Sequence, residues 1–139
     1  MTEPVPGIVL DTNIVLDVLV FKDPLTLPLR QALEAGQLRW LSTDAMREEL
    51  ARVLSYPQIA KRLAFYGLEP HEVLAARDAW VHTVDPAPKA PVTCKDPDDQ
   101  RFIDLAVAHQ CLVLSKDHAV LCMAKRLLAL GASARAAIF

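Results

Sequence analysis

Short apolar runs alternate along the chain with segments whose apolar positions recur every three or four residues, the pattern of strands followed by helices. Val5 to Leu10 is short and apolar and predicts a strand, and Asp11-Thr12-Asn13 marks its stop and a helix cap. Ile14, Val15, Val18 and Leu19 then recur at helical spacing, and Leu29, Leu33 and Leu38 carry the pattern through a second helix that Gly36 closes. Arg39 to Ser42 predicts the next strand. Thr43 to Leu54 is helical by pattern with Pro57 ending it. Two more helices, around Gln58 to Phe65 and Pro70 to Trp80, make a helical insert over about 58–80. Val81 to Val84 is strand-like.

The proline-rich stretch 85–97, which begins Asp85-Pro86-Ala87-Pro88-Lys89-Ala90-Pro91, cannot be regular helix and reads as an extended surface loop of functional length. Pro97 sits just inside a helix start and Asp98 to His109 is helical. Cys111 to Leu114 is a fully apolar strand, and Asp117 to Leu130 predicts a helix ending at Gly131. Arg135 to Phe139 is the candidate last strand. Strands alternating with helices imply an α/β fold with a central parallel sheet and helices on both faces, because parallel strands need crossovers. With 139 residues, 53% of them hydrophobic, the chain has the size of one domain, 1–139, built on one core.

Composition then removes several classes of function. The longest apolar runs, such as Ile14 to Phe21 interrupted by Asp17, fall short of the roughly 20 residues that span a bilayer, so no membrane span is expected. Met1-Thr2-Glu3-Pro4 has no basic n-region, which argues against a secretory leader and for a cytoplasmic location. Cys94, Cys111 and Cys122 make an odd count with no CxxC pair, so they read as reduced thiols rather than a disulfide framework or a zinc site. His118 and Cys122 have helical i,i+4 spacing but no further zinc ligand in sight. A formal net charge of −2 gives no broad basic field. Nucleic acid would have to meet a local patch drawn from Arg47, Arg52, Lys61, Arg62 and Lys95, together with metal ions that cancel the chain's own carboxylates. Trp40 and Trp80 can stack on bases, but their patterning places them in the core. The apolar content leaves room for an exposed patch, and a homodimer is the expected assembly.

The acids carry the chemistry. In an open parallel sheet, ligands collect beyond the carboxyl ends of the strands, and Asp11 and Asp117 each follow a separate apolar strand. Each also suits the cap of the helix that follows it. Counting about 100° per residue, Met46, Leu50, Val53 and Leu54 define one helix face; Glu49 borders it while Glu48 lies nearly opposite, in solvent. The same count puts Asp99 on the side of Phe102, Ile103 and Ala106, whereas Asp104 points away. Asp96, before Pro97, is a helix cap, and Asp98 is a first-turn acid. Asp11, Glu49, Asp99 and Asp117 gathered at one sheet edge would repel one another unless a multivalent cation neutralised them. Oxygen-only ligation points to Mg²⁺ or Mn²⁺, which can orient a phosphodiester and activate water.

Four segments, in order, resemble the motifs of PIN domains: Ile8-Val9-Leu10-Asp11-Thr12-Asn13, Glu49 to Leu54, Cys94-Lys95-Asp96-Pro97-Asp98-Asp99 with Phe102, and Leu112-Val113-Leu114-Ser115-Lys116-Asp117. The nearest likeness is to the bacterial branch described as toxin components of toxin–antitoxin systems, and it runs from about Gly7 onward. The resemblance implies a compact α/β fold, a Mg²⁺ or Mn²⁺ site, and endoribonuclease activity on single-stranded RNA, with an antitoxin protein as partner. It places Asp11, Glu49, Asp99 and Asp117 on the family's four acids, Asn13 on the polar residue that orients the first, and Ser115 where a Thr or Ser hydrogen-bonds a ligand carboxylate. One departure stands out: relatives carry a GDxD pattern at the last motif, whereas Lys116 and His118 flank Asp117 here, which removes an acid that a second metal would use. A haloacid-dehalogenase-type phosphatase needs an Asp where Asn13 stands, and a receiver domain needs an acid pair near the first strand. The standing alternative is a non-catalytic PIN-like scaffold that binds RNA or protein.

Overall fold

The apolar run Ile8-Val9-Leu10 forms the middle strand, β1 (Gly7–Leu10), because it is buried on both faces. The computed structural model describes residues 5–138; Met1 to Pro4, read above for a leader, and Phe139, the expected end of the last strand, lie outside the described residues. Beside β1 lie β2 (Arg39–Ser42) and β4 (Leu112–Leu114), with β3 (Val81–Thr83) and β5 (Ser133–Arg135) at the edges. All five strands are parallel, in the order β3-β2-β1-β4-β5. Register sets Ile8 against Trp40 on one side and against Leu112 on the other, and Leu10 against Leu114.

Alternation along β1 divides the core. Ile8 and Leu10 face one cluster with Trp40 and with side chains of α1 (Thr12–Leu19), α2 (Leu27–Glu34), α3 (Asp44–Leu54), α4 (Pro57–Tyr66) and α5 (Pro70–Trp80). Val9 faces the other, with Leu41, Val113 and side chains of α6 (Gln100–His109), α7 (His118–Leu121) and α8 (Ala124–Leu128). Helices therefore cover both faces, as the element pattern predicts. The chain leaves β1 toward one face through α1 and leaves β4 toward the other through α7. The crevice between the carboxyl ends of β1 and β4 is thus a topological switch point, the place where such sheets bind ligands.

Several boundaries differ from the sequence reading, each for a local reason. Pro57 opens α4 at the one helical position that needs no N–H, rather than closing α3, which ends at Leu54. Leu38 is not part of α2; Gly36, at φ 69°, turns the chain, and Gln37 N–H returns to the Ala32 carbonyl. The expected continuous helix from Asp117 to Leu130 is two helices, because Met123 N–H bonds the Val120 carbonyl one position too early. β5 stops at Arg135, where Ser115 N–H takes the Arg135 carbonyl as the last bond that the short strand β4 offers. Trp40 is buried, and Trp80 is half-buried with the Arg30 guanidinium 5.9 Å from its ring. Among the described residues no helix is long and apolar enough to cross a membrane.

One buried cation ties the helical segment after β2 to the sheet. The Arg77 guanidinium, 3% exposed, donates to Ser42 Oγ (2.8 Å), the Thr43 carbonyl (3.2 Å) and Asp78 Oδ1 (2.8 Å). Arg47 grips the same Asp78 through two nitrogens at the surface, and their charges hold the Asp78 carboxyl below its ordinary pKa. Arg77→Ala strands the Ser42 and Thr43 acceptors and is expected to cost about 2–3 kcal/mol of unfolding free energy. Arg47→Ala breaks only an exposed pair and should cost less than about 1 kcal/mol. Urea denaturation of both variants checks the contrast, and equal costs would contradict this account.

Candidate metal centre

Asp11 leaves β1 directly into the crevice and is 3% exposed. Its Oδ1 accepts the Ile14 N–H at 3.0 Å and so caps α1, while Oδ2 accepts the Ser115 hydroxyl. Ser115, fully buried at the end of β4, uses the same oxygen to accept Asp117 N–H at 3.0 Å. Asp117 Oδ1 in turn accepts Ala119 N–H at 2.9 Å and caps α7. Main-chain bonds pin both loops: Asp11 N–H reaches the Leu114 carbonyl and Ser115 N–H reaches the Arg135 carbonyl, each at 3.1 Å. The capping role and the position at the crevice are thus properties of the same two acids.

The third acid comes from the far side of the proline-rich loop. Pro97–Asp99 forms a 3₁₀ turn ahead of α6, and Asp96 Oδ1 caps it by accepting Asp98 N–H at 3.0 Å. Carboxylate oxygens of Asp96, Asp99 and Asp117 all lie within 4.8 Å of one another. The loop is clipped in place by α6. Gln100 accepts Cys94 N–H (2.6 Å) and donates to the Val92 carbonyl (3.0 Å), and Asp104 Oδ1 accepts both Ala90 N–H (2.9 Å) and the Gln100 amide (2.7 Å). Asp104, half-buried, spends its charge on the loop that carries Asp96.

Crowding of like charges shows in the titration of the acids. Burial first, then the neighbouring Asp117 carboxyl, raises Asp99 to about 7. Asp117 is shifted down, by the Ala119 N–H above all and then by the Asp99 carboxyl. Asp99 is therefore the acid of the pair that takes up a proton first as pH falls, while Asp117 stays ionised. Burial also raises Asp11, against the lowering by Ser115 and the Ile14 N–H. Asp99 Oδ2 is buried, and among the described residues no donor reaches it. An unpartnered buried oxygen among acids is what a cation would satisfy, and the all-oxygen donor set suits a hard divalent ion.

Glu49 stands half-buried on α3, and its Oε2 accepts the Thr12 hydroxyl at 2.9 Å, which places it beside the start of α1; Glu48 is exposed. Glu49 is not among the three acids whose oxygens meet within 4.8 Å. The Asn13 side chain is exposed, and the hydrogen bonds on Asp11 come from Ser115 and the main chain instead. Asp96 and Thr12 escaped the sequence reading. The signal for Asp96 was present, three acids within the four residues 96–99, but capping explained it locally. Arg47 pairs with Asp78 at the surface, and the Arg62 guanidinium lies 4.6 Å from the Phe21 ring. Lys116, beside Asp117, pairs with the mostly buried Asp17 of α1.

Comparison with known families matches residues 7–119 to the PIN domain, a span that includes Asp11, Glu49, Asp96, Asp99 and Asp117. No curated protein matches the chain.

In metal-free buffer, Asp99 makes stability fall with rising pH. Its pKa of about 7 in the folded chain lies above the ordinary 3.8, so its contribution is complete below about pH 4 and is lost as pH rises through 7. Asp11 acts in the same direction, while the lowered Asp117 and Asp78 act only below the ordinary carboxylate range. Thermal unfolding in EDTA from about pH 5 to about pH 8 should show a declining midpoint that flattens in Asp99→Asn. A rising or level midpoint in the wild type would contradict this electrostatic account.

Proposed function

The chain belongs to the PIN-domain family of nucleases, and from that premise we propose that it is a divalent-metal-dependent endoribonuclease that cleaves single-stranded RNA. Asp11, Glu49, Asp99 and Asp117 are the catalytic and metal-binding acids in this reading, with Ser115 and Asn13 supporting them. The observation that carries it is Asp99 Oδ2, buried without a donor inside a cluster of three carboxylates. A Mg²⁺ or Mn²⁺ ion held there would supply Lewis-acid polarisation of the scissile phosphate and a more acidic water.

The protein's own residues supply the rest. Asp96, Asp99 and Asp117 bring carboxylate oxygens within 4.8 Å of one another, a donor set that would hold the ion once Asp99 is ionised. Ser115 and the Ile14 N–H fix Asp11 without consuming its charge. Thr12 fixes one oxygen of Glu49 and leaves Oε1 to accept a proton from the attacking water. Lys95, exposed next to Asp96, is a cation available to the RNA backbone, which the net charge of −2 would otherwise repel.

The motif likeness supports a narrower biological reading: a cytoplasmic toxin of a toxin–antitoxin pair, acting as a homodimer and held inactive by an antitoxin that sets an Arg among the carboxylates. Purified protein should cut single-stranded RNA with Mg²⁺ or Mn²⁺, lose activity in EDTA, and lose at least about 100-fold in kcat in Asp99→Asn or Asp11→Asn. Folded, metal-loaded protein that binds varied RNAs and cuts none of them would instead favour the scaffold alternative.

A further inference from the structure

Two of the three cysteines meet at a single main-chain acceptor. The Cys94 thiol donates to the Ala119 carbonyl at 3.3 Å and the Cys122 thiol donates to the same oxygen at 3.5 Å. Their sulfurs therefore lie no farther apart than those two lengths laid end to end. This carbonyl is available because Met123 N–H bonds Val120 instead, at the break between α7 and α8. Cys94 is buried and Cys122 is exposed, so an oxidant in solution reaches Cys122 first, with Cys94 directly behind it. Cys111 stands elsewhere, just before β4.

From this geometry we infer that Cys94 and Cys122 are a modification site, a thiol pair that a peroxide closes into a reversible intramolecular disulfide. Cys122 sulfur attacks one peroxide oxygen, the O–O bond breaks, and water leaves with the thiol proton, giving Cys122 sulfenic acid. Cys94 sulfur then attacks the Cys122 sulfur, the S–O bond breaks, and a second water leaves carrying the Cys94 proton. Two thiols and one peroxide become one disulfide and two waters, with the sulfurs oxidised and the peroxide reduced. Intracellular disulfides of this kind are typically transient and redox-sensing.

The bond would join the two segments that carry the acid cluster. Cys94 precedes Asp96 by two residues and has its N–H held by Gln100, and Cys122 follows the helix that Asp117 caps. Drawing the sulfurs together to about 2 Å shifts Asp96 and Asp99 relative to Asp117, so the oxidised protein binds Mn²⁺ more weakly, by roughly tenfold. This last consequence rests on the metal-site reading; the disulfide does not.

Full-length protein treated with hydrogen peroxide should yield a crosslinked Cys94–Cys122 peptide lighter by two hydrogens and restored by a dithiol. Cys111→Ser should form it and Cys122→Ser, at an exposed position, should not. Calorimetry with Mn²⁺ alone then compares reduced and oxidised protein. A free Cys94 beside over-oxidised or intermolecularly paired Cys122 overturns the proposal. A crosslink with unchanged Mn²⁺ affinity overturns its coupling to the acids. Failure of both forms to bind Mn²⁺ counts against the nuclease reading and leaves the disulfide standing on its masses.

Discussion

One buried hydroxyl sets the two halves of the crevice against each other. Ser115 gives its proton to Asp11 after β1 and takes the N–H of Asp117 after β4, so a single oxygen fixes two acids from strands far apart in sequence. It can do so only because Leu10 and Leu114 are register partners and Asp11 N–H reaches the Leu114 carbonyl. A slip of one residue between β1 and β4 would turn every side chain of one strand to the other face and break this bridge together with both cores. The apolar run that fills the sheet is therefore also what aims the acids.

Acids so placed work against folding, and the structure offsets the cost in a consistent way. Asp11, Asp96 and Asp117 each give one oxygen to main-chain N–H groups at the start of a helix or 3₁₀ turn, where the backbone has donors to spare. Asp99 has no such donor for Oδ2, and it is the carboxyl driven up to about 7. The electrostatic strain thus shows most in Asp99, and burial adds a rise at Asp11 despite its two hydrogen bonds. Concentrating strain at a site that a ligand could relieve is a recurrent property of functional centres.

Legibility in the sequence followed how local each cause is. Strand β1 and helix α3 could be read because each fills its own period with apolar residues, and α5 because Pro70 marks its start. Glu49 and Glu48 differ in exposure as helical angle predicts, since the packing face was already drawn by Leu50. Where a distant partner decides, the sequence was silent. The end of β5 depends on how far β4 runs. Asp96 looked like a cap because it is one; only the fold brings Asp117 to its other side. The Asn13 side chain is exposed, and the hydrogen bonds seen on Asp11 come from Ser115 and the Ile14 N–H.

The proline-rich loop is where these arguments join. Prolines at 86, 88 and 91 restrict its backbone, and Gln100 and Asp104 clamp its later part to α6 through three hydrogen bonds. Lys89 closes it on itself by donating to the Ala90 and Val92 carbonyls. A loose loop would let Asp96 and Asp99 swing into solvent and escape their repulsion from Asp117, and the cluster would dissolve. A restrained one forbids that escape. Holding the acids together then falls to covalent and hydrogen-bonded geometry rather than to attraction among them, so the cluster is preorganised by the same residues that crowd its charges.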